Sequence, residues 1–310
     1  MLRTLFVLIA VTIVVGVVFY ESPAAGLAVA TDGVIAAAIL AAATGLGMGC
    51  VAGLGLGREP LRWQVLLGAG LGIGTLMLLM LGGSLLGLLD RWLWLAVLVG
   101  MFAAGVGRVI VLVRRRPKRT ESPTMRVESW LWLLAMPALA LVLLVAAVPT
   151  GFLWIEEARG YDVLEYHLGA PKEYLLAGRN TYLPHNVYAN FPFNVEMLYL
   201  LAMVLDQDPW SAAPLAKMLN AGLAILTVAA VWLAGREFSR TAGIVAGIVV
   251  GTLPWLMYLS GLCFVENGML FFGALAVACW CRAVTQQERG DDAAAPRWRW
   301  AVASGLSAGL

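Results

Sequence analysis

Charged side chains make up only 13% of this 310-residue sequence, against about 25% in soluble domains, while 61% of its residues are apolar against about 45–50%. That balance excludes the pair of soluble domains that length alone would suggest and predicts a polytopic membrane protein. A formal net charge of +2 and the lack of any basic patch interleaved with aromatics exclude a nucleic-acid partner. Cysteine and histidine are almost missing. Cys50, Cys263, Cys279 and Cys281 lie in or beside apolar stretches without CxxC spacing or a neighbouring histidine, so neither a disulfide framework nor a zinc site is expected. His167 and His185 form no HxxxH or HExxH pair, and no metal ligand set is expected.

What the chain has in abundance is long apolar runs. A bilayer core of about 30 Å needs about 20 apolar residues in a helix. This predicts spans near 2–20, 33–56, 63–89, 92–113, 130–150, 212–235, 242–260 and 264–282. Ala28-Val29-Ala30 resembles a signal-peptide cleavage site, but the first apolar run is long and more spans follow, so it is read as a retained helix. A ninth run begins near Trp298, and its roughly 13 residues are too few to cross, so the chain is expected to continue past Leu310. The basic run Arg114-Arg115-Arg116-Pro117-Lys118-Arg119, placed in the cytoplasm, puts the N-terminus there too. Of the 21 Lys and Arg residues it leaves only Arg91, Arg159, Lys172, Arg179 and Lys217 outside. Trp63, Trp92, Trp130, Trp154 and Trp210 read as headgroup anchors. The glycine runs from Gly45 to Gly57 and from Gly68 to Gly74 read as close helix packing rather than a nucleotide loop.

The segment from Gly151 to about Ser211 is different in kind, holding eight of the 19 acids, both histidines and six of the eight tyrosines. On the orientation above it faces outside, and its aromatic density predicts a folded surface rather than disorder. Arg159 to Leu168 reads as a short interfacial helix with Asp162, Glu165 and Tyr166 on one face. A second helix starts at Pro171, buries Leu175-Leu176 and ends at Gly178. A third, from Pro192 to Leu205, is capped by Asn190 or Asn194 and is too short to cross, so it lies in the interface or dips in and returns, carrying Glu196. The short loop before the eighth span adds Glu266, an acid at a membrane boundary. Asp162, Glu165 and Glu266, opposed by Arg159, Lys172, Arg179 and Lys217, could seat a phosphate or pyrophosphate beside a general base.

Five patterns carry a likeness to a known family. They are Tyr161-Asp162-x-x-Glu165-Tyr166-His167-Leu168-x-x-Pro171-Lys172, Asn190-Phe191-Pro192-x-Asn194-x-Glu196-Met197-Leu198-Tyr199, Leu215-x-x-Met218-Leu219-Asn220, Gly235-Arg236-Glu237-Phe238 and Val265-Glu266. From about residue 150 onward the chain resembles the membrane-embedded GT-C glycosyltransferases of the protein-mannosyltransferase and aminoarabinose-transferase type. The resemblance implies an all-α, GT-C-like helical bundle in the cell (inner or plasma) membrane. Residues 1–128 would form an added four-span module with a basic cytoplasmic linker, and 129–310 the first part of the transferase core. It implies an inverting transfer of a sugar from a polyprenyl-phosphate donor to a hydroxyl of a lipid, glycan or protein acceptor outside the cell. Asp162 matches the position of the family's catalytic base, and Glu266 that of its second-loop acid, which is often Asp in relatives. Around them the candidate catalytic set is Asp162, Glu165 and Glu266, and the substrate- and phosphate-binding set is Arg159, His167, Lys172, Arg179, Tyr182, His185 and Glu196. No cofactor is required by the sequence, while a divalent cation has room to take part. The isoprenoid chain would lie in a groove between span 212–235 and helix 192–205.

Two other classes stay open on the same residues. A transporter or lipid flippase needs ionisable groups or broken helices near the bilayer midplane; the spans hold almost none of the former, although Pro137 and Pro254 could break helices. A non-catalytic relative would keep the fold without the chemistry.

Overall fold

The computed structural model describes residues 2–115, 127–149, 157–288 and 295–310, and every regular element among them is helical. In chain order these are α1 (Leu2–Glu21), α2 (Pro23–Ala28), α3 (Val34–Gly53), α4 (Leu61–Leu85), α5 (Arg91–Arg115), α6 (Met136–Ala147), α7 (Glu157–Asp162) and α8 (Gly169–Ala177). They continue as α9 (Glu196–Asp206), α10 (Ala213–Phe238), α11 (Arg240–Gly251), α12 (Pro254–Ser260), α13 (Glu266–Glu288) and α14 (Arg297–Ala308). Single π-helical turns, Val29–Gly33 and Val163–His167, join α2 to α3 and follow α7, and a 3₁₀ stretch, Val127–Ala135, leads into α6.

Among the described residues, six helical stretches are long and apolar enough to cross a bilayer: Pro23–Gly53, Leu61–Leu85, Arg91–Arg114, Val127–Ala147, Ala213–Phe238 and Glu266–Gln286. The protein is an all-α polytopic membrane protein. Two of the eight expected spans differ. In α1 the apolar stretch Thr4–Tyr20 is shorter than the six. The expected span 242–260 is bent by 57° between α11 and α12, which together make at most one seventh span. Pro254 stands at the start of α12, where it has no N–H to continue the α11 ladder. Pro137 does not kink a helix; it sits in the first turn of α6, where the 3₁₀ stretch becomes α-helix.

In hydrocarbon the burial of apolar surface does not drive helices together, so close packing must. The α3–α4 contact is built that way: a Cβ on Gly72 would overlap the carbonyl of Ala43, and one on Gly47 the carbonyl of Gly68. Gly45 meets Gly105 of α5 in the same manner. The later glycines of the first run do something else. Gly53 has open space beside it, while Gly55, at φ +75°, and Gly57 lie in the turn after α3 against the guanidinium groups of Arg299 and Arg108.

An apolar core runs across the 128/129 boundary, with α3, α4 and α5 packed on α9 and α10. At its centre lies α9, in which Glu196 through Leu205 are all buried. A helix apolar on every side belongs in an interior, so of the two expected placements the interfacial one is wrong. Its expected asparagine cap is also absent: Val195 precedes the helix without a side-chain cap, and the Asn194 amide donates to the Leu310 carbonyl (3.1 Å).

Loops and helix ends gather at two poles. At the tyrosine pole Asn180 N–H donates to the Ser84 carbonyl (2.9 Å), Tyr199 Oη to the Phe264 carbonyl (2.8 Å) and Asn220 Nδ2 to the Leu259 carbonyl (2.8 Å), and Lys217, buried, donates to the Val148 carbonyl. At the arginine pole Arg282 bonds Glu59 and Glu237, both at 3.0 Å, and lies over the rings of Trp63 and Trp300. Trp63 is therefore a fully buried packing residue, not a headgroup anchor, whereas Trp92 and Trp210 are exposed as expected. Trp154 and most of the basic run, Arg116 onward, lie outside the described residues.

Candidate functional site

The site at the tyrosine pole is organised by the π turn Val163–His167. One extra residue per turn closes the bond from Leu168 N–H to the Val163 carbonyl (2.9 Å) and re-aims the side chains that follow. Tyr161 and Leu164 are exposed, Val163 and His167 are buried, and Asp162, Glu165 and Tyr166 are half-buried. The Tyr166 hydroxyl donates to the Asp162 carboxylate, and the charges of Glu196 and Glu266 also reach it. Burial first, and then these carboxylates with Asp162 foremost, push the Tyr166 phenol up to about 12. Three acids far apart in sequence thus converge on one phenol.

Each comes from a different element for a local reason. Asp162 ends α7. Glu196 opens α9 and takes a 2.8 Å bond with His167 Nδ1, both side chains being buried. Glu266 opens α13, which approaches so closely that a Cβ on Gly268 would overlap Val195. The loop ahead of it bends at Cys263, whose φ of +51° is a left-handed conformation that a non-glycine residue holds only when its surroundings dictate it. That bend sets Phe264 against the His167 ring at 5.5 Å. Tyr166 stacks on Tyr188 (5.3 Å, 26° between planes) and meets Phe191 and Phe193 edge-on. Asn186 holds this aromatic wall: its Nδ2 donates to the Glu165 carbonyl (2.7 Å) and its Oδ1 accepts from the N–H groups of Tyr188 and Ala189.

The expected site is therefore brought together in part. The charges of Asp162, Glu196 and Glu266 act on Tyr166, and His167, bonded to Glu196, lies beside its ring at 4.2 Å. Glu165 does not join them; it is the foremost cause of the upward push on the exposed Tyr161 phenol. Among the described residues, the other members of the expected substrate- and phosphate-binding set, Lys172, Arg179, Tyr182 and His185, lie apart. Lys172 lies over the Trp210 ring (5.4 Å) beside a cavity of about 70 Å³ walled by Leu164, Leu168 and Met203. Arg179 is exposed and reaches the Leu85 carbonyl (3.5 Å), His185 pairs with Glu173 (3.0 Å), and Tyr182 is exposed. The side chain of Arg159 lies outside the described residues. In α8 it is Tyr174 that is buried while Leu176 is exposed, and Gly178 ends the helix in the left-handed conformation (φ +69°) as expected. Among the described residues no three His, Cys, Asp or Glu side chains group as a metal site.

An apolar cavity of about 340 Å³ lies within the helical bundle, but not beside α9 as expected, because α9 is packed on all sides. It lies between α6, α10 and the bend from α11 to α12, lined by Trp132, Leu139, Val142, Val228, Trp232 and Leu256. Asn220 on α10 is at the tyrosine pole and Ala224 already lines the cavity, a separation of about 6 Å along the helix at 1.5 Å per residue.

Reasoning from sequence missed Tyr166 as the point of convergence, although it stood inside the quoted pattern. It also missed the buried network at the other pole, where Glu59 accepts from Arg282, from Gln286 Nε2 (3.3 Å) and from the Ala295 N–H (3.3 Å), and Glu237 accepts from Thr285 Oγ1 (2.9 Å). The available signal was two acids, Glu59 and Glu237, in short loops otherwise full of arginine. Comparison with protein-family models, with curated proteins and with solved structures finds no match.

Proposed function

We propose that the protein is an integral-membrane glycosyltransferase that moves a sugar from a polyprenyl-phosphate donor to an acceptor hydroxyl at the tyrosine pole, with Asp162 as the general base. The observation that carries this reading is that the charges of Asp162, Glu196 and Glu266 all act on Tyr166, inside the aromatic wall at the tyrosine pole. On this reading the arginine pole is cytoplasmic, by the excess of Lys and Arg, and the tyrosine pole is outside. Asp162 takes the proton of the acceptor hydroxyl and the oxygen forms a bond to the anomeric carbon. The bond from that carbon to the phosphate oxygen breaks, and the lipid phosphate leaves with the electron pair. Tyr166 orients the base through its hydrogen bond, Glu266 accepts from substrate hydroxyls, and the aromatic wall of Tyr188 and Phe191 faces the sugar. The apolar cavity along α10 receives part of the lipid chain.

The test supplies radiolabelled polyprenyl-phosphate sugars to membranes containing the chain and follows label transfer at matched protein levels. Transfer by wild type, with a loss of at least about 100-fold in Asp162→Asn, is the expected result for a general base. Full transfer by folded Asp162→Asn and Asp162→Ala would sink the assignment of the base.

One observation favours a second reading. The 57° bend between α11 and α12, next to a cavity within the bundle, is what a transporter or lipid flippase would use. Among the described residues the cavity lining is mostly apolar and holds no ionisable side chain of the kind a coupled transporter needs, so lipid movement fits it better. Translocation of labelled lipid without sugar transfer would favour this reading.

A further inference from the structure

Away from the tyrosine pole, the turn between α3 and α4, the C-terminal part of α5 and the start of α14 border an open cavity of about 420 Å³, lined by Ala52, Gly55, Gly57, Arg58, Arg108 and Arg299. Three guanidinium groups therefore share one space. Among the described residues no carboxylate lines it, and no ion pair involves any of the three. The acid next in sequence, Glu59, is turned away and committed to Arg282, Gln286 and the Ala295 N–H. Arg108 has only neutral partners, the Gly57 carbonyl (3.3 Å) and Gln64 Oε1 (3.0 Å), and Arg299 Nη1 donates to the Gly55 carbonyl (2.9 Å).

Those bonds hold the guanidinium groups in place without neutralising them. Gly55 and Gly57 leave room for the Arg299 and Arg108 guanidinium groups to lie against the turn, and the turn's φ of +75° at Gly55 is a conformation glycine adopts without strain. The Nε atoms of both arginines are buried without a partner. Ordinary surface arginines contacting headgroups are mobile; these two are half-buried and fixed on backbone carbonyls. A guanidinium stays charged at any working pH and presents a planar fork that matches phosphate oxygens. The volume falls within the roughly 300–1,000 Å³ of small-ligand sites, and basic pockets between membrane helices are suited to lipid phosphate groups.

We propose that the Arg58–Arg108–Arg299 cavity is a binding site for a phosphate-bearing anion, separate from the tyrosine-pole site. The phosphate can come from an anionic lipid headgroup or from a soluble phosphate, and the test distinguishes the two. In one arm the chain, in phosphatidylcholine nanodiscs, is titrated calorimetrically with inorganic phosphate and with pyrophosphate. In the other, the chain is extracted from liposomes containing cardiolipin, and the lipid retained is measured by native mass spectrometry.

Saturable binding in the first arm identifies a soluble phosphate, and retention of cardiolipin in the second identifies a headgroup; either supports the site when it depends on the arginines. Arg108→Gln and Arg299→Gln are expected to weaken binding at least about tenfold, the loss of one charge-assisted hydrogen bond. Arg91→Gln, at the opposite pole, leaves it unchanged. Should the two buried variants misfold, Arg58→Gln decides, because Arg58 is exposed and its replacement removes a charge from the cavity without removing a packed side chain. The proposal is overturned if neither arm shows saturable binding, or if Arg58→Gln and the folded variants bind as wild type does.

Discussion

Replacing Arg282 by Met should be among the most destabilising single changes in the chain. The guanidinium is buried on α13 and bridges Glu59, in the turn ahead of α4, to Glu237, at the end of α10, with both N–O distances at 3.0 Å. It also lies 5.9 Å and 6.0 Å from the ring centroids of Trp63 and Trp300, which pack edge to face. Methionine fills much of the stem's volume but takes the guanidinium away from the two buried carboxylates it bridges. Breaking a buried pair in this way costs about 3–5 kcal/mol. The remaining partners, among them Gln286 and the Ala295 N–H on Glu59, Thr285 on Glu237 and the Arg62 charge near both acids, place the expected loss near the lower end, about 3 kcal/mol. Glu59→Gln removes one charge but leaves Arg282 its bond to Glu237, so it should cost less, about 1–2 kcal/mol. The triple variant Glu59→Gln, Arg282→Met, Glu237→Gln buries no net charge and should recover a large part of the loss. Equilibrium unfolding in mixed micelles, followed by tryptophan fluorescence and circular dichroism, reads all three. A cost below about 1 kcal/mol for Arg282→Met, or a triple variant no more stable than the single, would refute the reasoning.

Gly72→Ala forces a methyl group into the Ala43 carbonyl and should cost about 1–3 kcal/mol in the same unfolding assay, whereas Gly49→Ala, beside open space in α3, should cost nothing; equal effects would contradict the α3–α4 packing. Tyr166, held up at about 12 by burial and then by Asp162, should titrate nearer its ordinary value of 10 in Asp162→Asn, read by ultraviolet absorbance against Tyr166→Phe. Because the folded value lies above the unfolded one, the stability linked to Tyr166 is present below pH 10 and is lost as pH rises toward 12, and the variant should lose less of it over that window. Val228→Trp fills the apolar cavity and should raise the KM for long-chain donors while leaving kcat for short-chain donors within about twofold; a fall in kcat alone would remove the cavity from donor binding.

The spans were legible because a bilayer imposes a length and an apolar composition that few soluble segments share. The exceptions have local causes. Pro254 breaks what composition reads as one run, and α1 carries too short an apolar stretch. Helix α9 was misplaced because an apolar 11-residue helix looks the same in sequence whether it lies on a membrane or inside a protein. What decides is Glu196, whose burial rests on His167, 29 residues earlier, and no local pattern carries that pairing. At the site, the density of acids between Gly151 and Ser211 was visible, and so was the boundary acid Glu266. The divergence of Glu165 from Asp162 was not, because it depends on a π turn that α-helical spacing does not anticipate. Arg58, Arg108 and Arg299 went unnoticed because each is an ordinary positively charged residue at the end of a span or in a loop. Only the fold brings together positions separated by up to 241 residues, as the 244-residue interval of the bond from Arg299 to Gly55 illustrates.

The unpaired buried atoms sort by chemistry between the two poles. At the tyrosine pole they are acceptors: Glu196 Oε2, Glu266 Oε2, Asn220 Oδ1 and Asn267 Oδ1. At the arginine pole they are mostly donors, the Nε atoms of Arg108, Arg282 and Arg299 and the indole N–H groups of Trp63 and Trp300. Each unpaired buried group costs about 1–3 kcal/mol, and a random defect in packing would leave donors and acceptors mixed. A ligand rich in hydroxyl groups satisfies surplus acceptors, and a phosphate satisfies surplus donors. The same sorting supports a sugar beside Asp162 and an anion beside Arg299. Arg282 and the two tryptophans belong to the paired network with Glu59 and Glu237, so the donors free to meet an anion are those of Arg108 and Arg299, the two that line the cavity.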